Sequence, residues 1–377
     1  MADHASPKTS PKTSPKTPSP KSPSPADHHP AGSSPRIEAD PDIEHGDGDD
    51  DGDGQDITDA DSAFGGTSAA SSTESISSSI LNYRRLHGRT YQNVKTTEYW
   101  APNDEQQNEG LDIIHNALLM ALDDRLFLAP IGDSPRRVLD VGTGTGIWAI
   151  DVGDQLPHAE ITGTDLSPIQ PRWVPPNVEF VIDDCLQDWT WPADHFDFVH
   201  LRALYGSIPD WRALYAKALF HLRPGAWLQD LEMDVRIQSD HVDIPADHVF
   251  NRWADLFYAG GDRMGRSFAI AVGHTMRDAM EDAGFVDVVE KKIKAPMHGW
   301  PKDPRLQQAG LLFQLALDES IEGFAVFLLT QILGWQRDEV LLLVFEFRNE
   351  MRKKSNFGWC QVTIVYGRKP LELPESS

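Results

Sequence analysis

Val138-Leu139-Asp140-Val141-Gly142-Thr143-Gly144-Thr145-Gly146-Ile147-Trp148-Ala149-Ile150 sets an apolar run before three alternating glycines and then helix-compatible residues. The order reads as strand, tight turn and helix. Glycines at alternate positions permit positive φ and remove the β-carbons that would hold a ligand off the main chain. The helix that follows offers unpaired N–H groups to an incoming polar group. Spacing separates the cofactors that use such a loop. The dinucleotide fingerprint needs G-x-G-x-x-G, whereas here the third glycine comes one residue early and Asp140 stands two residues before the first. The next strand, Ala159-Glu160-Ile161-Thr162-Gly163-Thr164, ends at Asp165, nineteen residues past Gly146, where a carboxylate can accept both ribose hydroxyls. Together these features favour S-adenosylmethionine, with a nicotinamide cofactor as the main competitor.

The chain of 377 residues is 40% apolar, enough for a sizeable core in one large domain or two small ones. Twelve acidic residues lie between Glu38 and Asp61, yet the net charge of −24 exceeds that run, so the remaining chain is acidic as well. Such a surface repels bare nucleic acid and argues against direct nucleic-acid binding. Cys185 and Cys360 are too few for a disulfide framework or a zinc cluster, and no metal site is expected. The N-terminus has no apolar leader, and Ile321 to Trp335 is too short and too polar to span a bilayer. The expectation is an intracellular protein of cytoplasm or nucleus, without membrane contact.

Residues 1–80 read as a disordered tail, Pro/Ser/Lys-rich and then acidic. Ser6-Pro7-Lys8-Thr9 recurs at Ser10 and Ser14, with few apolar side chains to offset ordering entropy. Each Ser-Pro-Lys fits a proline-directed kinase or a weak minor-groove contact, the tail as a whole could meet regulatory protein partners, and a solvated tail is the plainer reading. The Asp47 to Asp53 run lacks the glutamate of a calcium loop, and His28-His29 need no metal. Residues 81–135 form a lead-in with a helix over Gln106 to Leu128. Residues 136–370 alternate strands and helices, and 371–377 are a short tail. Strands are expected at Val178-Ile182, Phe196-Leu201, Ala226-Leu231, Phe285-Val289 and Gln361-Tyr366. Helices are expected at Ile208-Leu222, His274-Ala283, around Pro304-Leu317 and Ile321-Leu333, and at Arg337-Met351, with a lid over His241 to Arg266. The alternation predicts an α/β fold, an open and mostly parallel sheet with ligand at the carboxyl ends of the strands.

Several loops agree, in order and spacing, with a known family. Asp140 to Asp151, Gly163-Thr164-Asp165-Leu166-Ser167-Pro168, Trp173-Val174-Pro175-Pro176-Asn177, Asp188-Trp189-Thr190-Trp191-Pro192, Gly206-Ser207-Ile208-Pro209-Asp210-Trp211, Gly299-Trp300-Pro301-Lys302-Asp303-Pro304 and Tyr366-Gly367-Arg368-Lys369-Pro370 resemble the class I methyltransferases of the fungal LaeA-like group. The resemblance runs from about Tyr91 to Pro370. It implies a Rossmann-like sheet of seven strands whose last strand is antiparallel, a helical insertion before that strand, and S-adenosylmethionine as cofactor. By position it implies that Gly142, Gly144 and Gly146 approach the methionyl part, that Asp140 orients its amino group, that Asp165 with Leu166 takes the ribose, and that Asp184 with Cys185 borders the adenine. Family members include regulators of secondary metabolism and pathway enzymes. The chain departs from the family in the helix before the glycine loop, where a Glu-x-x-Arg pair and a His-His give way to Gln107, Gly110, His115 and Asn116. It departs again at Gln229-Asp230-Leu231-Glu232 and Phe357-Gly358-Trp359.

Methyl transfer from a sulfonium is an in-line displacement, so holding acceptor and methyl in line in a dry pocket supplies most of the catalysis. An acceptor with a proton to lose also needs a base within hydrogen-bond reach. His200, Tyr205 and Glu232 stand at strand ends and are the candidates, although a satisfied buried histidine, a packing tyrosine and a paired glutamate explain them equally well. The tryptophans at 148, 173, 189, 191, 211 and 300 read as core. The reading is a methyltransferase acting on a small molecule or a protein. The alternatives are a cofactor-binding regulatory protein of the same fold and a nicotinamide oxidoreductase.

Overall fold

A short hairpin, β1 (Arg84–Leu86) and β2 (Arg89–Tyr91), leads into helix α1 (Glu105–Ala121), whose N-terminus is capped by the Asp104 carboxylate accepting from Gln107 N–H. The computed structural model describes residues 34–41, 43, 82–94, 97 and 99–371. The Ser-Pro-Lys repeats, the Asp47 to Asp53 run, His28-His29 and residues 372–377 lie outside the described residues. Strand β3 (Arg137–Val141) follows α1, then helix α2 (Ile147–Gln155), β4 (Glu160–Asp165), β5 (Val178–Ile182) and β6 (Phe196–Arg202). Helix α3 (Trp211–His221) precedes the long β7 (Leu222–Gln238), and α4 (Val249–Met264) and α5 (Thr275–Asp282) precede β8 (Val286–Pro296). Helices α6 (Pro304–Phe327) and α7 (Arg337–Met351) form the insertion before β9 (Trp359–Arg368).

The seven-stranded sheet has the order β5-β4-β3-β6-β7-β9-β8. Strands β3 to β7 pair in parallel, and β9 enters antiparallel between β7 and β8. This is the Rossmann-like sheet with a reversed last strand that the resemblance implies. The strand order reverses at β3, which has β4 on one side and β6 on the other, so the loops after β3 and β6 splay apart and leave a crevice.

Strand β8 runs on past Val289 to Pro296 by pairing with β9, and three more elements differ from the sequence reading for local reasons. Helix α1 stops at Ala121, not Leu128, because Asp123 and Asp124 take left-handed φ values of 55° and 58° that no helix continues through. Residues 126–129 then lie against the domain, where the Gln229 side-chain oxygen accepts from the main-chain N–H of Leu128 and Ala129. Strand β7 runs past Leu231 to Gln238 although Glu232 and Asp234 look like strand breakers, because both carboxylates find donors. Glu232 accepts from Leu204 and Tyr205 N–H, and Asp234 from the Tyr258 hydroxyl and Arg236 N–H. Helix α6 is continuous across Asp318-Glu319-Ser320 and ends in a π-turn at Leu328–Ile332. Ser320 is fully buried against Gly110 of α1, so the polar stretch is an interhelical contact and not a break.

Within the segment read as tail, residues 34–41 and 43 lie along the domain. Ala39 bridges to Pro301, Asp40 N–H donates to the Trp300 carbonyl, and Ile37, Ala39 and Ile43 pack on Trp300, Phe357 and Trp359.

Candidate cofactor and acceptor site

At the carboxyl ends of β3, β4, β6 and β7 lies a cavity enclosing roughly 1090 Å³ with its mouth, at the upper end of what a drug-sized ligand occupies. Leu111, Ile114 and Leu118 of α1 roof it, the turn Gly142 to Thr145 forms one wall, and Asp165 to Ser167 and Asp183 to Leu186 form another. Tyr99, Leu231 and Met233 close the far end.

The glycine turn has the backbone that its spacing requires. Gly142, Gly144 and Gly146 carry φ values of 70°, 59° and 83°. At Gly146 a β-carbon would also fall 2.3 Å from the Phe180 ring, so this position admits no side chain on two counts. Gly142 and Gly144 line the cavity, whereas Gly146 caps α2 behind it.

Asp165 is the hub of the wall. Its carboxylate accepts from Gly144 N–H and from Ser167 N–H, both at 2.9 Å, and lines the cavity with Leu166. Burial raises its pKa to about 6, against the opposing pull of those N–H donors. A carboxylate has about four lone-pair sites, so two backbone bonds leave capacity for a vicinal diol. Asp184 and Cys185 line the next stretch. Asp184 accepts from the Thr97 hydroxyl at 2.5 Å and from Leu186 N–H at 3.0 Å. Burial pushes the Cys185 thiol up to about 12, which leaves it an unreactive neutral wall.

Asp140 does not reach the cavity. One carboxylate oxygen accepts from the Thr143 hydroxyl at 2.6 Å and the other from His200 Nδ1–H at 2.8 Å, so Asp140 braces the turn from behind. The three candidate bases are also held elsewhere. His200 is 1% exposed, pairs with Asp140 and stacks on Trp148 with centroids 3.6 Å apart; burial lowers its pKa. Glu232 is fully buried, and both its oxygens accept main-chain N–H groups of the loop after β6; burial and the neighbouring Asp230 raise its pKa well above the ordinary carboxylate value. The Tyr205 ring packs against Trp100 and Phe268, and burial raises its pKa. None of the three lines the cavity.

Sequence reasoning did not reach Arg202, Tyr99 or Ser207. Arg202 ends β6 and lines the cavity, a signal confined to one arginine closing an apolar strand. Tyr99 sits in an irregular stretch without periodicity. Ser207 lines the cavity, is 5% exposed, and its hydroxyl has no hydrogen-bond partner among the described residues. Buried unpaired hydroxyls are uncommon, and this one suits a ligand.

Residues 113–290 match the family described as "Methyltransferase domain". The chain is 38% identical over 297 residues to the methyltransferase pytC of Aspergillus terreus, covering 78% of this chain and 91% of that protein. It is 34% identical over 290 residues to the secondary metabolism regulator LAE1 of Cochliobolus heterostrophus, covering 75% and 94%. The chain belongs to the fungal LaeA-like methyltransferases. A further relative, 31% identical over 291 residues and covering 77% of each chain, is the protein-methionine methyltransferase laeA of Emericella nidulans. As a LaeA-like methyltransferase this chain is an S-adenosylmethionine-dependent enzyme. The early third glycine had already set the loop apart from a nicotinamide site. No described helix is long and apolar enough to cross a membrane.

Gln107 and Gly110 do not line the cavity. Gln107 and Gly110 face α6, where Gln107 Nε2 donates to Ser320 Oγ at 3.3 Å. A β-carbon on Gly110 would sit 2.2 Å from that same oxygen. At these two positions α1 packs closely on α6.

Proposed function

We propose that Asp165 with Leu166 takes the ribose of S-adenosylmethionine, that Asp184 and Cys185 border its adenine, and that Gly142 and Gly144 let the methionyl end lie on the main chain. Asp140 and Gly146 act through the shape of the turn. The bound cofactor supplies an electrophilic methyl group on a sulfonium. The chain's own part is to exclude water and to hold the acceptor in line at the far end of the cavity, where Tyr99, Ile114, Leu118, Leu231 and Met233 make an apolar wall.

The acceptor, in this reading, is a small molecule of secondary metabolism or a protein side chain that brings its lone pair without a proton to remove. The observation that carries it is the placement of His200, Tyr205 and Glu232 outside the cavity. Among the described residues that line it, the ionisable groups are Tyr99, Asp165, Asp183, Asp184, Cys185 and Arg202. Asp165, Asp183, Asp184 and Cys185 lie along the cofactor wall, Arg202 is a cation, and burial raises the Tyr99 pKa. A thioether needs no base there. The names of the relatives, a methyltransferase, a regulator of secondary metabolism and a protein-methionine methyltransferase, fit either kind of acceptor. Two reduced cysteines fit an intracellular setting.

The test is transfer of labelled methyl from S-adenosylmethionine by the full chain to metabolite and protein fractions, with Asp165→Ala as control. The expected result is label lost in the variant and a kcat level from pH 7 to 9. A kcat that climbs with a pKa between 6.5 and 8 would reveal a base and overturn the acceptor reading.

A further inference from the structure

We infer that Arg202 receives the carboxylate at the methionyl end of the cofactor, and that Asp151 and His115 hold its guanidinium in position for that contact. The inference rests on the S-adenosylmethionine reading above and adds to it a charged anchor and the relay that aims it. Arg202 is the cation among the described residues that line the cavity. It stands at the end of β6, adjacent to β3, whose last residue precedes Gly142.

The hydrogen bonds fix their own direction. A guanidinium only donates. Arg202 Nη1 therefore donates to His115 Nδ1 at 2.9 Å, which leaves the imidazole proton on Nε2, and that N–H donates to Asp151 Oδ2 at 2.8 Å. His115 must be neutral to accept. Its burial, first, and the Arg202 charge, second, lower its pKa to about 4, so this tautomer persists through neutral pH. The relay spans three elements, α1, α2 and β6, so Asp151 fixes the His115 ring and the ring fixes one nitrogen of the Arg202 head.

The remaining donors of Arg202 have no other hydrogen bond among the described residues. Three nearby acids, Asp140, Asp151 and Asp112, favour its charge, yet none of them hydrogen-bonds it among the described residues: Asp112 accepts from the Thr145 hydroxyl at 2.6 Å, Asp140 from Thr143 and His200, and Asp151 from His115. A guanidinium fork that opens onto a cavity matches a carboxylate in bidentate geometry.

The experiment is an equilibrium titration of the full chain at pH 7.5 with S-adenosylhomocysteine and with its decarboxylated analogue, which keeps adenosine, sulfur and amine. The wild type is expected to favour the carboxylate ligand by about ten- to hundredfold, the worth of a charged hydrogen-bonded pair. In Arg202→Met the two ligands bind alike, at the strength of the analogue with the wild type. That unchanged analogue affinity also shows that the variant is folded. Arg202→Lys keeps an intermediate ratio, and so does His115→Asn, which leaves the cation present but unaimed. Equal binding of both ligands by the wild type, or a ratio that survives in Arg202→Met, overturns the inference while leaving the cofactor reading intact. Should the wild type bind neither ligand, the cofactor reading falls and this inference with it.

Discussion

Lowering the pH from 7.5 to 5 is expected to weaken cofactor binding about tenfold, and Asp165 is the group responsible. Its carboxyl is buried, and in the free protein it ionises with a pKa of about 6. Ribose hydroxyls donate most strongly to the ionised form, which accepts on both oxygens, so the ligand lowers that pKa and affinity rises as pH rises through 6. At pH 5 about one molecule in eleven has the carboxylate ready, and at pH 7.5 nearly all do, which gives a ratio of about ten, or about 1.4 kcal/mol. Folding responds with the opposite sign. Because the folded pKa lies above the unfolded value of about 3.9, the contribution of Asp165 to stability is greatest at low pH and is lost as pH rises through 6. Asp165→Asn removes both slopes. The amide oxygen can keep one of the two backbone N–H donors, of Gly144 or Ser167, while the NH₂ meets the other. Calorimetric titration with S-adenosylhomocysteine from pH 5 to 8, wild type beside Asp165→Asn, reads the result. The wild-type affinity should rise with pH up to about 6 and level off above it, and the variant should bind weakly and evenly. His115, with a pKa of about 4, stays neutral across this window and does not confuse the slope. An affinity independent of pH in the wild type, or a slope that persists in the variant, would refute the reasoning.

Two further outcomes follow from packing. Glu232→Gln should lower the unfolding free energy by about 1–3 kcal/mol, since one of the main-chain N–H groups of Leu204 and Tyr205 then faces an amide donor; urea melts measure it, and the shape of the pH–kcat profile should not change, as it would for a catalytic base. Gly110→Ala should cost about 1–3 kcal/mol by overpacking, because its β-carbon meets Ser320 Oγ at 2.2 Å. Adding Ser320→Gly should return part of that loss in a double-mutant cycle, and strictly additive effects would show that the two helices do not meet there.

The sequence alone determined the strand–turn–helix at Val138 to Ile150, the spacing to Asp165 and the alternation of strands and helices that implies a mostly parallel sheet, because each rests on neighbours in the chain. A glycine's permitted φ and the periods of strand and helix are local properties. The residue types at the ends of β6 and β7 were equally legible, but not their duties. Period two sends His200 and Arg202 to the same face of β6. Trp148 covers His200, and Arg202, two residues further on, opens onto the cavity. Which of the two meets ligand depends on how far α2 reaches along the strand, and no residue spacing encodes that distance. Contacts between distant residues decided the rest. Glu232 serves the loop of Leu204 and Tyr205, Arg202 takes its aim from His115, and Gly110 answers to Ser320. Each pairing joins segments far apart in the chain, and a carboxylate reads the same in sequence whether it holds a loop or waits for a proton. Only the packed structure, by burying one side and leaving the other open, tells those roles apart.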